Sequence, residues 1–531
     1  MKYAAKKREN PVKIAIYSLA LITTLAYIVY RFCFTLPFEL GFFDITFGLI
    51  VIAAETIEAI EFFVFFLNTL CMSKESPKVP KVKTENWPEI DVFIATINES
   101  TELLEGTVKA CVAMEYPEPK KVHIYLCDDG DRKEVANLAH KYKVKYLARK
   151  IHKGAKAGNY NYALSRTSSP YVAIFDADMQ PTTDFLMHTV PFFIKYDNIG
   201  FVQTPQSFNN PDIFQSRLSS KMPFEQDYFY HHIQLARNNV NSVILCGTNC
   251  VIDRKALKDA GNFAEMTIAE DVATGMLIEA VGYQGIATNE VLAHGEAIDD
   301  AAGFLRQRSR WGRGCIQTIK KYGVFRNRGL TFRQKLDYFV SINYWQFSTK
   351  RMLYLLLPLL FAYFGIIAIK GDLTVFVPIF FTQYFIKRFV IDLLENGHKS
   401  STWSKIYELI QAPLMIGPII KETLGFGSTK FEVTPKGKKV KRTKTDNKLL
   451  ASHAVLLALS ILGIVLAAYK SGILGLELYI IPLIWLIFNT FYLIAALIFD
   501  LRKSRVNKDF VPNQFKKYGI KSYLGILRRE K

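Results

Sequence analysis

Five short stretches hold residue types that could do chemistry together. "FDADMQP" (175–181) sets Asp176 and Asp178 two residues apart after an apolar run. At a strand end such a pair can offer carboxylate oxygens to one hard divalent cation that also holds substrate phosphates, although an acidic turn would look the same. "LCDDG" (126–130) ends another apolar run with Asp128, Asp129 and a glycine, and on its own it is as readily an Asp-rich turn. "KGAKAGNYNYAL" (153–164) combines small residues, which let a ligand approach the backbone, with Lys153 and Lys156, which can meet phosphate charge. It is not a Walker A loop, because GxxxxGK[ST] does not occur, and a plain helix N-terminus would read similarly. "IAEDVATG" (268–275) puts Glu270 and Asp271 ahead of a helical pattern, where acidic capping is commonplace. The functional reading makes Asp271 a general base that takes a proton from an attacking hydroxyl. "QRSRWGRG" (307–314) offers arginines to a diphosphate leaving group and the Trp311 ring face to a sugar. A basic helix with a Trp at the headgroup level would carry the same letters. Taken together and in this order, the five describe metal-assisted transfer of a group from a diphosphate donor beside a membrane.

These residues need a scaffold, and the chain supplies one between two sets of membrane segments. It has 531 residues, half of them hydrophobic, so it exceeds one ordinary domain and points to a membrane protein. Six apolar segments approach the length that crosses a bilayer: 13–32, 44–70, 352–369, 373–391, 449–468 and 478–499. The second carries Glu55, Glu58 and Glu61 at helical spacing, and such groups should face protein or water rather than lipid. Of the net charge of +19, residues 1–13 carry +4, residues 430–448 carry +6 and residues 501–531 carry +8. Each piece abuts an apolar run, the positive-inside pattern of cytoplasmic segments, so a multi-pass protein with both termini inside is expected and a nucleic-acid partner is not. The connections 33–43, 370–372 and 469–477 are short and poor in basic residues, which suits the outer side. The basic, then apolar N-terminus is expected to be a retained anchor, since no small-residue cleavage site follows it. The seven cysteines show no CxxC pair or metal-ligand spacing and read as reduced thiols.

Between the second and third segments, "IDVFIAT", "VHIYLCDDG", "YVAIFDAD" and "IGFVQTPQ" alternate with helical stretches, as buried parallel strands with crossover helices would. In an open α/β sheet the ligands gather at the carboxyl ends of the strands, which is where the acidic residues fall. "FRQKLDYFVSINYWQF" (332–347) and the 401–424 stretch mix apolar, aromatic and charged residues, as amphipathic helices lying on the cytoplasmic surface do.

With "DDG", "AKAGNYNYAL", "DAD", "FVQTPQSFNNPD", "EQDYFY", "LCGTNC", "AED", "QRSRWGRG" and "FEVTPKG" in view, residues 90–436 resemble the processive inverting family 2 glycosyltransferases of the cellulose synthase type. The resemblance implies a GT-A glycosyltransferase domain (73–331) inserted between transmembrane α-helices. Two of these helices lie in 1–72, four more lie with interfacial helices in 332–500, and a basic tail follows (501–531). It implies UDP-glucose as donor, Mg²⁺ or Mn²⁺, a nascent polysaccharide and the lipid bilayer as partners, and a channel for export; accessory proteins or oligomerisation are not evident. Residue by residue, Asp128 and Asp129 would contact the uridine, and Lys156 with Asp176 and Asp178 would hold diphosphate and metal. Asp271, with Glu270 beside it, would be the base. Gln307, Arg308, Arg310 and Trp311 would hold the diphosphate and the acceptor's terminal sugar. Cys246 and Gly247 would line the acceptor site, Tyr344 and Trp345 the channel mouth, and 431–436, with Thr434 and Lys436, would close over the donor.

The chain departs from that pattern at Ala269, where a threonine is usual, and at Met179, where a histidine is frequent. The residues after the last apolar segment are too few for a PilZ domain, so control by cyclic-di-GMP is not expected, and only two segments precede the α/β region. The product expected is a β-glucan of cellulose-type β-1,4, curdlan-like β-1,3 or branched capsular linkage. A hyaluronan- or chitin-type synthase using UDP-GlcNAc is the alternative, and a non-enzymatic transporter or scaffold the remote one.

Overall fold

The computed structural model describes residues 11–70, 76–219, 222, 224–395, 401–427 and 443–504. Among the described residues, ten strands form two sheets. They are β1 (Ile90–Thr96), β2 (Val122–Asp128), β3 (Lys145–Ala148), β4 (Tyr171–Asp176), β5 (Gln180–Pro181), β6 (Ile199–Gln203), β7 (Ser207–Phe208), β8 (Cys250–Asp253), β9 (Gln284–Ala287) and β10 (Ala293–Gly295). The large sheet runs β3-β2-β1-β4-β8-β6-β9 and the small one β5-β10-β7. Strand periodicity accounts for its burial on both faces. Ile90, Val92 and Ile94 of β1 enter one core layer with Ala173 and Phe175 of β4, while Phe93, Val172 and Ile174 enter the other. The four expected strands share one direction, but β8 runs antiparallel to both β4 and β6. The reason lies just upstream. Residues 247–249 cross the carboxyl edge, with Asn249 N–H donating to the Ile174 carbonyl at 2.9 Å and Thr204 N–H to the Asn249 carbonyl at 3.1 Å. A chain that arrives at that edge can re-enter the sheet only by running backwards.

The helices used below are α1 (Pro11–Phe34), α2 (Phe42–Leu70), α3 (Ala155–Ser165), α4 (Glu270–Ala280), α5 (Ala301–Tyr322), α6 (Phe332–Asn343), α7 (Phe347–Phe364), α8 (Leu373–Glu395), α9 (Ser401–Leu424), α10 (Lys444–Leu474) and α11 (Leu476–Leu501). Four of them, within α1, α8, α10 and α11, are long and apolar enough to cross a membrane. The other two expected spans, α2 and α7, are helices too, but they carry charge, and that charge is paired inward. Arg31 bonds Glu55 at 2.8 Å, Lys350 bonds Glu61 at 2.8 Å and Arg351 bonds Glu408 at 2.6 Å. An ionisable group on such a helix is tolerable where protein supplies its partner, as expected for the acidic stripe of α2.

One expectation changes. The 469–477 connection is helical almost throughout, and a single residue, Gly475 at φ +98°, turns α10 into α11. Helix α9 buries Ile406, Tyr407, Ile410, Met415 and Ile419 in a core shared with α5, α7, α10 and α11.

Candidate active site

Register places the acidic residues. Thr96 of β1 lies opposite Asp128, and Ala95 lies opposite Asp176, so the two aspartates share one edge with β1 between them. At one strand spacing each, they stand about 10 Å apart. The fully buried Asp128 accepts from the Gly130 and Arg132 N–H groups at 2.9 and 2.8 Å, from the Arg132 guanidinium at 3.0 Å and from the Tyr146 hydroxyl at 3.2 Å. Asp129 is gripped by both arms of Arg149 at 2.6 and 2.7 Å. Arg149 also donates to the carbonyls of Lys153 and Ala155 at 2.6 and 2.7 Å, across the left-handed pair Gly154–Ala155. The DDG turn therefore does structural work: through Arg149 it aims the start of α3, and with it Lys156. Neither arginine was singled out in the sequence: Arg132 stands two residues after "LCDDG" and Arg149 four before "KGAKAG", and a lone basic residue beside a motif carries no periodic signal.

Lys156 is the centre of the site. Its Nζ donates to Asp176 Oδ1 at 2.5 Å and to the Gly247 carbonyl at 2.8 Å. Burial alone would pull its pKa down, but Asp176, Tyr160 and Glu270 outweigh it and hold the amine protonated. Gly247 sits at φ +70°, and a Cβ there would lie 2.8 Å from Asp271 Oδ2. Asp176, Lys156, Gly247 and Asp271 thus form one continuous line of contact. Glu270 and Asp271 occupy the first turn of α4, where the N-terminal dipole favours negative charge. Burial nonetheless raises the pKa of both, opposed by the positive charges of Lys156 and Arg310. Asp271 is held by the N–H of Val272 at 2.8 Å. Next to Gly247, Cys246 donates its N–H to Gln203 Oε1 at 2.8 Å, and burial pushes its thiol pKa up, away from reactivity.

Helix α5 starts at an Asp300 cap and brings the QRSRW residues alongside. Gln307, Arg310 and Trp311 share a face by helical spacing. The two glycines of "WGRG" explain how closely α5 approaches its neighbours. A Cβ at Gly314 would meet the Ala269 backbone nitrogen at 2.6 Å, and one at Gly312 would meet the Trp345 ring at 3.1 Å. Thr267 closes the first contact by donating to the Gly314 carbonyl at 2.9 Å. Arg308 points elsewhere. It is buried between the Phe304 and Trp311 rings, 4.9 and 4.5 Å from their centroids, and pairs with Glu225 at 2.5 Å. Trp311 meets Trp345 edge-on at 6.3 Å, and Trp345 meets Tyr344 at 5.5 Å, where α6 runs on into α7.

The structure thus brings Lys156, Asp176, Gly247, Glu270 and Asp271 together, gathers Trp311, Trp345 and Tyr344 into a second group, and engages Asp128, Asp129 and Arg308 in pairs the sequence did not foreshadow. Thr434 and Lys436 of the 431–436 loop lie outside the described residues. For a metal, the donors on offer are carboxylate oxygens: Asp176, partly exposed, and Asp178, buried beside Gly295. Among the described residues no group of three or more His, Cys, Asp or Glu side chains is poised for a metal. Two hard donors fit a cation such as Mg²⁺ or Mn²⁺ whose remaining ligands come from bound phosphates and water.

Residues 91–261 match the family Glycosyl transferase family 2. The chain is 29% identical over 462 residues to the cellulose synthase catalytic subunit [UDP-forming] of Pseudomonas fluorescens, covering 86% of this chain and 62% of that one. It is 27% identical over 504 residues to the cellulose synthase 1 catalytic subunit [UDP-forming] of Komagataeibacter xylinus, covering 93% of this chain and 67% of that one. Among solved structures, the mannosyltransferase PcManGT from Pyrobaculum calidifontis, in complex with GDP-Man and Mn²⁺, aligns at TM-score 0.48 and 18% identity over 71% of this chain and 99% of that one. The chain is thus similar, along most of its own length, to cellulose synthase catalytic subunits, and it spans about three fifths of the first of them.

Proposed function

We propose that this protein polymerises glucose from UDP-glucose into a β-glucan, processively and with inversion, and passes the product outward between its own membrane helices. The observation that carries the reading is the unbroken line from Asp176 through Lys156 and Gly247 to Asp271, which sets a phosphate-neutralising amine and a carboxylate base on either side of one glycine. Asp271 takes the proton of the acceptor hydroxyl as its oxygen attacks the anomeric carbon, the bond to the UDP oxygen breaks, and an α-linked donor becomes a β-linked product. Lys156 and Arg310 meet the charge that gathers on the departing diphosphate. A divalent cation held by Asp176 and Asp178 supplies further charge neutralisation at those oxygens when bound.

The aromatic group of Trp311, Trp345 and Tyr344 gives the acceptor sugar ring faces to rest on. It stands where α6 continues into α7, next to the Glu61–Lys350 pair between α2 and α7, which supports a polymer path entering the helices there. The α/β domain and both termini would lie on the cytoplasmic side, where UDP-sugars are made and the basic segments belong. Linkage is decided by which acceptor hydroxyl faces Asp271.

The test is UDP release by the full-length protein in lipid nanodiscs with UDP-glucose, UDP-GlcNAc and UDP-glucuronate, each with Mg²⁺ or Mn²⁺, followed by digestion of the polymer with linkage-specific glucanases. Metal-dependent polymer from UDP-glucose alone is expected. Polymer only from UDP-GlcNAc, or from it with UDP-glucuronate, would sink the glucan reading.

A further inference from the structure

Away from the reacting groups, a buried polar network ties the catalytic edge to a membrane helix. Asp337 on α6, 1% exposed, accepts from Asn68 Nδ2 at 2.6 Å and from Ser242 Oγ at 2.9 Å. Asn68 lies two residues from the end of α2, while Ser242 begins the strip that leads to Cys246 and Gly247. One carboxylate thus holds a membrane helix with one oxygen and the acceptor-lining strip with the other. The next residue repeats the arrangement towards the base. Tyr338, wholly buried, donates to Glu279 Oε2 at 2.7 Å, and Glu279 is in the last turn of α4, whose first turn carries Asp271. Arg237 covers the Tyr338 ring at 5.3 Å, donates to the Asp337 carbonyl at 3.3 Å, and bonds the Ser242 carbonyl and Ser341 hydroxyl. On the membrane side, Arg333 of α6 donates to the Leu67 carbonyl at 3.1 Å.

The strip, α4 and α2 each bond α6. We infer that Asp337 is a positioning residue, with Tyr338 supporting it: the pair fixes the height of the Gly247 strip and the Asp271 helix above the membrane helices that hold the growing polymer, and so sets how many sugars are added before the chain end slips. This rests on the function proposed above. A buried charge with two neutral donors is a demanding arrangement that an apolar contact would not reproduce, because losing one donor leaves the carboxylate under-satisfied in a definite direction.

The experiment compares wild type with Asn68→Leu, which cuts only the membrane arm, Ser242→Ala, which cuts only the strip arm, and Asp337→Ala, which cuts both. All are full-length proteins in nanodiscs, assayed for product length, UDP release and the KM for UDP-glucose per mole of monodisperse protein. Each single-arm variant is expected to shorten the product by about tenfold or more, the ratio one hydrogen bond to a charged group supports, with the donor KM within about twofold of wild type. Adding either one to Asp337→Ala should change little, because the shared partner is already gone. A merely structural role would lower the amount of monodisperse protein while leaving product length unchanged, and that result overturns the inference. So does a rise in donor KM that tracks the shortening, or additivity between the arms; if Asp337→Ala does not fold, the two single-arm variants decide. Wild-type protein that forms no polymer from any of the three donors removes the functional reading and this inference with it.

Discussion

Gly247→Ala is the sharpest perturbation the site offers. The added Cβ would stand 2.8 Å from Oδ2 and 3.1 Å from Cβ of Asp271, at a backbone angle of φ +70°. A non-glycine residue in that left-handed region costs about 1–2 kcal/mol, small against the ~5–15 kcal/mol of a folded domain, so the protein should still fold. The steric cost falls elsewhere. To regain ordinary contact the Asp271 carboxylate must recede by about 0.6 Å, and a misplacement near 1 Å costs about 100-fold in rate. The Lys156 bond to the Gly247 carbonyl at 2.8 Å moves with it, adding to the loss. UDP release per mole of monodisperse protein should therefore drop by about 30–100-fold while the thermal midpoint shifts by only a few degrees. Gly261→Ala is the control. Gly261 has φ +90° and nothing within 4 Å of an added Cβ, so it carries the backbone strain without the collision. Gly247→Ala within threefold of wild type would refute the placement of Asp271 as the group that meets the acceptor. An equal loss in Gly261→Ala would assign the effect to strain instead.

Three further outcomes follow from the same geometry. Burial raises the Asp271 and Glu270 pKa values, and a base must be ionised to act. UDP release should therefore be lost as pH falls through a midpoint above the ordinary carboxylate value of about 4, one that belongs to the pair; Asp271→Asn should remove both activity and limb, and a pH–rate profile checks it. Arg308→Met strands the buried Glu225 and should cost about 3–5 kcal/mol, whereas the double change with Glu225→Gln should recover most of that loss in thermal unfolding. Chelation should abolish UDP release and added Mg²⁺ or Mn²⁺ restore it, with Asp178→Asn raising the concentration of cation required, read by titration of activity against metal.

What could be read from the chain was local. The strands at 90–96, 122–128, 171–176 and 199–203 were legible because apolar runs of that length, closed by polar or turn residues, suit a sheet buried on both faces. Their acidic ends fell on one edge because parallel strands put all their carboxyl termini there. The acidic stripe of α2 announced inward-facing partners by its spacing, though not which partners. The mixed composition of α9 marked it as amphipathic but did not say which helices its apolar face would meet.

The sequence by itself determined the order of the elements, the edge on which the carboxylates gather, and the helix face that carries Gln307, Arg310 and Trp311, since each follows from a period of two or 3.6 residues and from adjacency along the chain. Only the tertiary structure decided that Asp129 is held by Arg149 and Arg308 by Glu225, that β8 runs backwards, and that Asp337 joins Asn68 to Ser242 across 269 and 95 positions. Those pairings depend on which surfaces meet when whole elements pack, and no repeat along a chain encodes the separation between two residues that first become neighbours on folding.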